Sequence, residues 1–181
     1  NPQFVITAGK VFEASVDSHI KPDPKIYNSV HLAPRKPDIF KMPITGKANI
    51  LRLIPKELVT ALDVEEVYTE NGLFVPRDGL LKLAVLERHH SSGRVGLGIL
   101  RGFDIKDGAI ATTVGHDSHN LVVVGDNDAD MLLAVDVLEE CGGGYVVVSR
   151  GEVLAKLVLS VAGLMSDAPL EVILKHQREL L

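Results

Sequence analysis

The sequence lacks the residues that mark several classes of protein. It has one cysteine, Cys141, which excludes an internal disulfide and fits a reducing compartment. It has no tryptophan and a formal net charge of -5, so the basic surface and stacking aromatics of a nucleic-acid-binding protein are missing. Apolar runs such as 121–124 and 145–148 are far shorter than the ~20 residues of a membrane helix. With no secretory signal at its start, the chain is expected to be cytoplasmic and to bind neither nucleic acid nor membrane.

Proline divides the 181 residues into two parts, because six of the nine prolines lie within residues 1–46. In that part, the apolar runs 4–6 and 11–12 flank Thr7-Ala8-Gly9-Lys10, which predicts a β hairpin. An extended arm should follow, since each proline fixes its own φ and biases its predecessor away from helix. We therefore predict that residues 1–46 are the end of a small β domain and a linker, and that 47–181 form another domain.

Residues 47–181 are predicted to be an α/β domain with a mixed sheet and flanking helices. Apolar residues at helical spacing predict a helix over 127–141, capped by Asp126 or Asn127 and ended by the three glycines at 142–144. A last helix is predicted over 167–180. Its inner face should be Leu170, Ile173, Leu174 and Leu181, and its cap Ser166 or Asp167.

Short apolar runs bounded by turn residues predict the strands. These runs are 49–54, 80–87, 108–114, 121–124, 145–148 and 153–159, the last two joined as a hairpin. A polar loop with a turn at 70–72 should separate the first two strands. Because several of the runs are continuously apolar, both faces of the sheet are expected to be covered.

A first group of chemically capable residues, Glu87-Arg88-His89-His90, ends the strand predicted at 80–87. Strict alternation places Glu87 and His89 on the same face as the apolar residues 81, 83 and 85. A buried face thus ends in a carboxylate and an imidazole, at the edge where ligands of α/β sheets usually lie. The alternative is a strand end whose charges simply face water.

A second group, His116-Asp117-Ser118-His119-Asn120, separates two predicted strands. An imidazole beside a carboxylate is the pairing that fixes a histidine tautomer or keeps the ring protonated, and such residues also ligate metals. The alternative is a tight turn, in which Asp, Ser and Asn bond their own backbone. Since both groups end apolar strands, we expect Glu87, His89 and the 116–120 loop to lie close together.

Seven segments, taken in order, resemble the C-terminal domain of the prokaryotic adenine deaminases, a family of the amidohydrolase superfamily. They are Ser29–Leu32, Glu87–His90, Gly96–Gly98, Gly108–Ala111, His116–Asn120, Val122–Gly125 and Ala162–Asp167. The resemblance covers roughly residues 28–181, and 4–11 resembles the last hairpin of the preceding β domain. Gly115 is a departure, because the family usually carries Ala there.

The resemblance implies a hydrolase that converts adenine and water to hypoxanthine and ammonia. It also implies a barrel domain outside this chain, which binds manganese or iron and uses a metal-bound hydroxide to attack the purine C6. This chain has no His-x-His pair, and one cysteine cannot supply the Pro-Cys-x-x-Cys set of other zinc deaminases. We therefore expect no metal ligand in this chain and no deamination by it alone.

Within such an enzyme, two sets of residues are expected to have roles. Supporting roles in catalysis are expected for Glu87, His89, His116, Asp117 and His119, and contacts with the substrate adenine for Ser118 and Asn120. The expected partners are the barrel of the same protein and further copies in a homo-oligomer. Two alternatives remain: a purely structural or oligomer-building domain, and a domain that binds a separate regulatory ligand.

Overall fold

Twelve strands, two α-helices and one short 3-10 helix lie in residues 4–13 and 23–180, the part of the chain that this computed structural model describes. The strands are β1 (Phe4–Thr7), β2 (Lys10–Glu13), β3 (Lys47–Leu53), β4 (Thr60–Glu66), β5 (Thr69–Glu70), β6 (Leu73–Phe74), β7 (Leu80–Leu86), β8 (Val95–Arg101), β9 (Gly108–Thr112), β10 (Leu121–Gly125), β11 (Gly144–Ser149) and β12 (Glu152–Val158). The helices are the 3-10 helix Pro24–Ile26, α1 (Asp128–Cys141) and α2 (Leu170–Glu179).

Eight strands form one sheet in the order β12-β11-β9-β10-β7-β8-β3-β4. Neighbouring strands are antiparallel except β3 and β8, which pair in parallel. The predicted α/β fold with a mixed sheet is confirmed, and each strand predicted within residues 47–181 is present to within two residues at either end. Their Val- and Leu-rich sequences suit a pleated, half-buried surface.

Helix α1 covers one face of the sheet, close to its predicted bounds. Asn127 is the N-cap, with its side chain accepting the Asp130 N–H, and Gly142 ends the helix in the left-handed region at φ 80°. The fully buried side chains on the inner stripe are Met131, Ala134, Val135 and Leu138, which pack against β9, β10 and β11. Burying a side chain as large as Leu138 contributes about 1.5–3 kcal/mol to stability.

Asp130, in the first turn of α1, ties the helix to the β11–β12 hairpin. Its carboxylate is 3% exposed and accepts the backbone N–H groups of Arg150 at 3.0 Å and Gly151 at 2.7 Å. Burial alone would raise the pKa of Asp130, but the hydrogen bonds from Asn127 and these two amides outweigh it and lower the pKa. The helix N-terminus favours the same negative charge.

The opposite face of the sheet is only partly covered by the described residues. Helix α1 packs on the other side, and α2 contacts the edge strand β12. On this face, Leu81, Leu100 and Val124 are buried together with Ile105 from a loop. Ala155 and Leu157 of β12 are also buried there, since they oppose Val147 and Tyr145. The expectation that both faces are covered therefore holds only in part for the described chain, because Leu62 and Val64 on the same face are exposed.

The arm from residue 23 to 46 is largely irregular but contributes to the core. Val30, Phe40 and Met42 are buried, and Phe40 packs in the same cluster as α1 and the central strands. The domain boundary at residue 46 stays a prediction, and residues 14–22 of the arm lie outside the described residues. The predicted hairpin at 4–13 is present, with Ala8 and Gly9 at positive φ in its turn.

Helix α2 differs from its prediction in length and packing. It begins after Pro169 rather than after Ser166 or Asp167, and none of its residues is fully buried. Leu170 and Leu174, predicted to face inward, are 65% and 41% exposed, because within the described chain the helix rests mainly on the single strand β12. Leu181 lies outside the described residues. No helix in the described parts of the chain is long and apolar enough to span a membrane.

Two strands of the main sheet, β4 and β8, were missing from the sequence prediction. Strand β4 has charged residues at alternate positions, and β8 contains Gly96 and Gly98, which lower its strand propensity. The turn predicted at 70–72 is present between β5 and β6, with Asn71 and Gly72 both at positive φ, as a tight hairpin requires.

Candidate functional site

The turn that follows β7 is built around the Glu87 carboxylate. It accepts the backbone N–H groups of His89 at 2.6 Å, His90 at 2.9 Å and Ser92 at 3.0 Å, and the Ser92 hydroxyl at 2.7 Å. The Ser92 hydroxyl and amide, together with the two histidine amides, lower the pKa of Glu87 to about 2 against a small opposing effect of burial. Glu87 is thus a fixed anion that shapes the turn.

The loop between β9 and β10 carries its polar residues outward. His116 and Asp117 have side chains that are 91% and 87% exposed, and His116 Nδ1 lies 2.6 Å from Asp117 Oδ1. The carboxylate therefore orients the imidazole at the tip of the loop. An exposed but oriented pair of this kind is suited to meet groups that lie outside the described residues.

The two predicted groups meet through the side chain of His89 as well as through that of Arg88. His89 Nε2 lies 2.9 Å from the Ser118 carbonyl oxygen, and Glu87 holds the backbone of the same turn. Because a carbonyl oxygen only accepts, this bond requires the proton of His89 to be on Nε2. The predicted proximity of Glu87, His89 and the 116–120 loop is therefore present.

Arg88 anchors this loop, and sequence reasoning assigned it no role. It is 1% exposed and donates to the His119 carbonyl, to the Ser29 carbonyl at 2.9 Å and hydroxyl at 3.1 Å, and to the Ala162 carbonyl at 3.1 Å. All of these partners are neutral, and burial lowers the pKa of Arg88. Strand alternation could have revealed it, because Arg88 continues the face of Ala84 and Leu86, which is the buried one.

The inner end of the loop contains two buried polar atoms with no partner among the described residues. They are His119 Nδ1 and Asn120 Oδ1. Both residues are half-buried, and the His119 amide donates to the Gly115 carbonyl at 2.6 Å. Buried polar atoms are nearly always satisfied in folded proteins, so these two are candidates for contacts beyond the described chain.

Several histidines and acids of this site are already bonded to other groups of the described chain. Glu87 is saturated by four donors, His89 Nε2 is engaged by a carbonyl, and His116 is paired with Asp117. In the described residues, no three His, Cys, Asp or Glu side chains are grouped closely enough to hold an ion. A zinc site requires at least three protein ligands in fixed geometry. Where the metal ligands lie stays a prediction.

A cleft of about 270 Å³ lies on the other side of Glu87. Its apolar walls include Leu32, Ile39 and Val95, and Lys36 and Arg94 contribute positive charge. Arg35, which also lines the cleft, is held by Asp136 and by Glu139 at 2.7 Å. The cleft is the feature most compatible with a separate small ligand.

Sequence comparison places this site in a known family. The family described as adenine deaminase C-terminal domain matches residues 57–181, which is more than half of the chain. The chain belongs to this family. The match covers β4 through α2 and therefore includes the turn after β7, the 116–120 loop and Arg88.

Relatives named adenine deaminase align with most of the chain. The protein of Nitratidesulfovibrio vulgaris strain DP4 is 51% identical over 149 residues, which is 81% of this chain and 26% of the relative. That of Lysinibacillus sphaericus is 45% identical over 161 residues, 87% of this chain and 27% of the relative. "Adenine deaminase 2" of Latilactobacillus sakei is 40% identical over 176 residues, 96% of this chain and 30% of the relative. The chain thus spans between a quarter and a third of their length.

Proposed function

We propose that this chain is the C-terminal part of an adenine deaminase that hydrolyses adenine at C6 to hypoxanthine and ammonia. In this proposal, the 116–120 loop reaches the active site of a catalytic barrel in the same polypeptide. The main support for this proposal is that the loop has a fixed base and an exposed tip. Its base is fixed by Arg88 and His89, while its tip presents the oriented pair His116–Asp117 to solvent.

The proposed roles follow from what each side chain already contacts. His116, oriented by Asp117, is placed to exchange a proton or donate a hydrogen bond at the active site. His119 and Asn120 carry the unpartnered buried atoms, and we assign Asn120 and Ser118 to hydrogen bonds with the purine. Glu87 and His89 act through the backbone they hold rather than by direct contact.

The remaining parts of the proposal concern groups outside the described residues. In this proposal, manganese or iron is held by the barrel, and Glu87, His89 and His116 have the partners described above. The assembly is a homo-oligomer. The share of the relatives' length that the chain spans supports a separate catalytic domain, because it leaves most of their length outside this chain.

Two alternatives rest on specific observations. The saturation of Glu87 and the mainly backbone contacts of Arg88 favour a structural domain, in which both groups only brace a loop. The cleft beside Glu87 favours a regulatory ligand. The first proposal accounts better for the exposed His116–Asp117 pair, because a bracing loop has no need of an oriented imidazole at its tip.

The test is kinetic and uses the full-length polypeptide. His116→Ala and Asp117→Asn are expected to lower kcat for adenine by about 100-fold or more, the usual scale for a positioned proton-transfer group. His31→Ala, another exposed histidine, is the matched control and should leave kcat unchanged. In the same ammonia-release assay with added manganese, the 181-residue chain alone is expected to show only background.

Two outcomes would contradict the proposal. Unchanged kcat in both variants, with only a lower Tm, would support the structural alternative. Turnover by the isolated chain would make the turn after β7 and the 116–120 loop an active site in their own right.

A further inference from the structure

The sheet face opposite α1 is apolar, and its part near the edge strand β4 is exposed in the described residues. Cross-strand pairing fixes which residues share it, because directly opposed residues lie on the same face. Leu51 opposes Leu62, and Val85 opposes both Val122 and Gly96. We call this surface the open face, and its apolar members include Leu51, Leu62, Val64, Leu83, Val85 and Val122.

The edge strand β4 is arranged for an apolar neighbour on this face. Its acids Asp63 and Glu65 point to the other side of the sheet, where they pair with Arg52 at 2.8 Å and with Arg101. Leu62 and Val64 point to the open face and are 62% and 59% exposed. A strand that faced water on this side would present its charges outward, so this orientation indicates contact with another apolar surface.

On the open face, strand β8 presents bare backbone, because Gly96 and Gly98 have no side chains. A Cβ at Gly96 would meet nothing within 4 Å, and one at Gly98 would meet only Leu83 Cδ2, at 3.8 Å. Neither glycine has a positive φ, so neither the packing nor the backbone of the described chain requires glycine here. Glycine inside a strand often marks a place where another backbone approaches closely.

We propose that the open face is the docking surface for the preceding, catalytic part of the same polypeptide, whose backbone lies over Gly96 and Gly98. This inference rests on the proposed function, since it requires the longer chain. Two relatives are long enough to hold such a part, because this chain spans only 26% and 27% of their length. A covalently linked domain acts at an effective concentration of about millimolar, which outcompetes a second copy at micromolar protein.

The position of the 116–120 loop agrees with this arrangement. A Cβ on Gly115 would lie 3.5 Å from Val122 Cγ2, and Val122 belongs to the open face. The base of the loop therefore borders the docking surface. A catalytic domain packed there lies beside the exposed tip that carries His116 and Asp117.

Cysteine labelling tests the inference without disturbing the core. Val64→Cys places a thiol on the open face, and Glu152→Cys places one on the opposite edge strand as the matched control, both in a Cys141→Ser background. Maleimide labelling is followed peptide by peptide in the 181-residue chain and in the full-length polypeptide. Val64→Cys should label at least about tenfold more slowly in the full-length polypeptide, while Glu152→Cys labels at similar rates in both.

Two results would overturn the inference. Equal labelling of Val64→Cys in both proteins would show that the open face stays uncovered. Slow, concentration-dependent labelling in the isolated chain would show that a second copy covers it. Deaminase activity of the same full-length samples separates this test from the proposed function, because protection without activity would refute only the latter.

Discussion

Two buried charges stand at opposite ends of the sheet, and they hold their surroundings in opposite ways. Arg88, at the end that carries the 116–120 loop, donates to carbonyls of three separate segments. Asp130, at the other end, accepts amides of one hairpin and an Asn127 side chain. Each is buried, and each has neutral partners.

The difference lies in how far each charge reaches along the chain. Asp130 joins α1 to residues 20 and 21 positions away, whereas the three segments held by Arg88 lie 31, 59 and 74 positions away. Asp130 also gains from the N-terminus of α1, while Arg88 has no such support. The comparison shows that Arg88 joins segments far apart in the sequence, whereas Asp130 joins segments close together in the sequence.

The largest effect is expected from Arg88→Met. The change leaves three buried carbonyls without donors, which should lower the free energy of unfolding by about 3 kcal/mol. Amide hydrogen exchange over 115–120 should accelerate at the same time, because the loop loses the anchor at His119. Urea unfolding and exchange measured by mass spectrometry give the two readouts.

Arg94→Met is the control for that variant, since Arg94 is exposed in the same turn and should change stability little. A large loss of stability with unchanged exchange over 115–120 would mean that Arg88 holds residues 29 and 162 but not the loop.

A smaller and pH-dependent effect is expected from Asp130→Asn, about 1–2 kcal/mol at pH 7. The pKa of Asp130 is lower in the folded state than in the unfolded state, where it is about 3.9. Its stabilisation is therefore complete above pH ~4 and is lost as the pH falls through the folded pKa. The difference between the wild type and the variant should shrink as urea unfolding is repeated at decreasing pH.

Asp104→Asn is the control, because Asp104 is exposed at the same end of the sheet. Its stability difference from the wild type should not change as the pH falls. A difference that stays constant from pH 7 down to pH 2 would show that the charge of Asp130 contributes nothing.

The smallest effect is expected from Gly115→Ala, at the base of the loop. A Cβ there would lie 3.5 Å from both the Asn120 carbonyl and Val122, which is ordinary contact, so we expect a gain of about 0.5 kcal/mol from reduced freedom of the unfolded chain. At the Asp130 end, Gly108→Ala is the contrasting variant. Its Cβ would lie 2.4 Å from the Val148 carbonyl, so it should destabilise. A lower Tm for Gly115→Ala than for Gly108→Ala would contradict these expectations.

Sequence patterns predicted the elements whose local and tertiary preferences agree. Helix α1 has a capping residue, a buried stripe and a terminal glycine, and all three are confirmed. Strand β4 was missed because its charges occupy the face that packs inside the chain, which reverses the usual pattern. In α2, the sequence predicts an apolar stripe, but only the tertiary structure shows that Leu170 and Leu174 have little to pack against.

The candidate site was predictable in its members but not in their contacts. Strand ends placed Glu87, His89 and the 116–120 loop together, and they meet. Strand alternation did not indicate that four donors converge on Glu87, because Ser92 lies beyond the group that alternation identified. Arg88 was grouped with its polar neighbours, although its position on the buried face made it the anchor.

The contacts of Arg88 also set an order in which the molecule is completed during synthesis. Ser29 precedes Arg88 in the chain, His119 follows it by 31 positions, and Ala162 follows it by 74. In a ribosome-bound chain that has not yet exposed residue 162, Arg88 Nη2 therefore lacks its acceptor. A chain that ends before residue 162 would therefore keep the residues of the site but leave Arg88 with one anchor fewer.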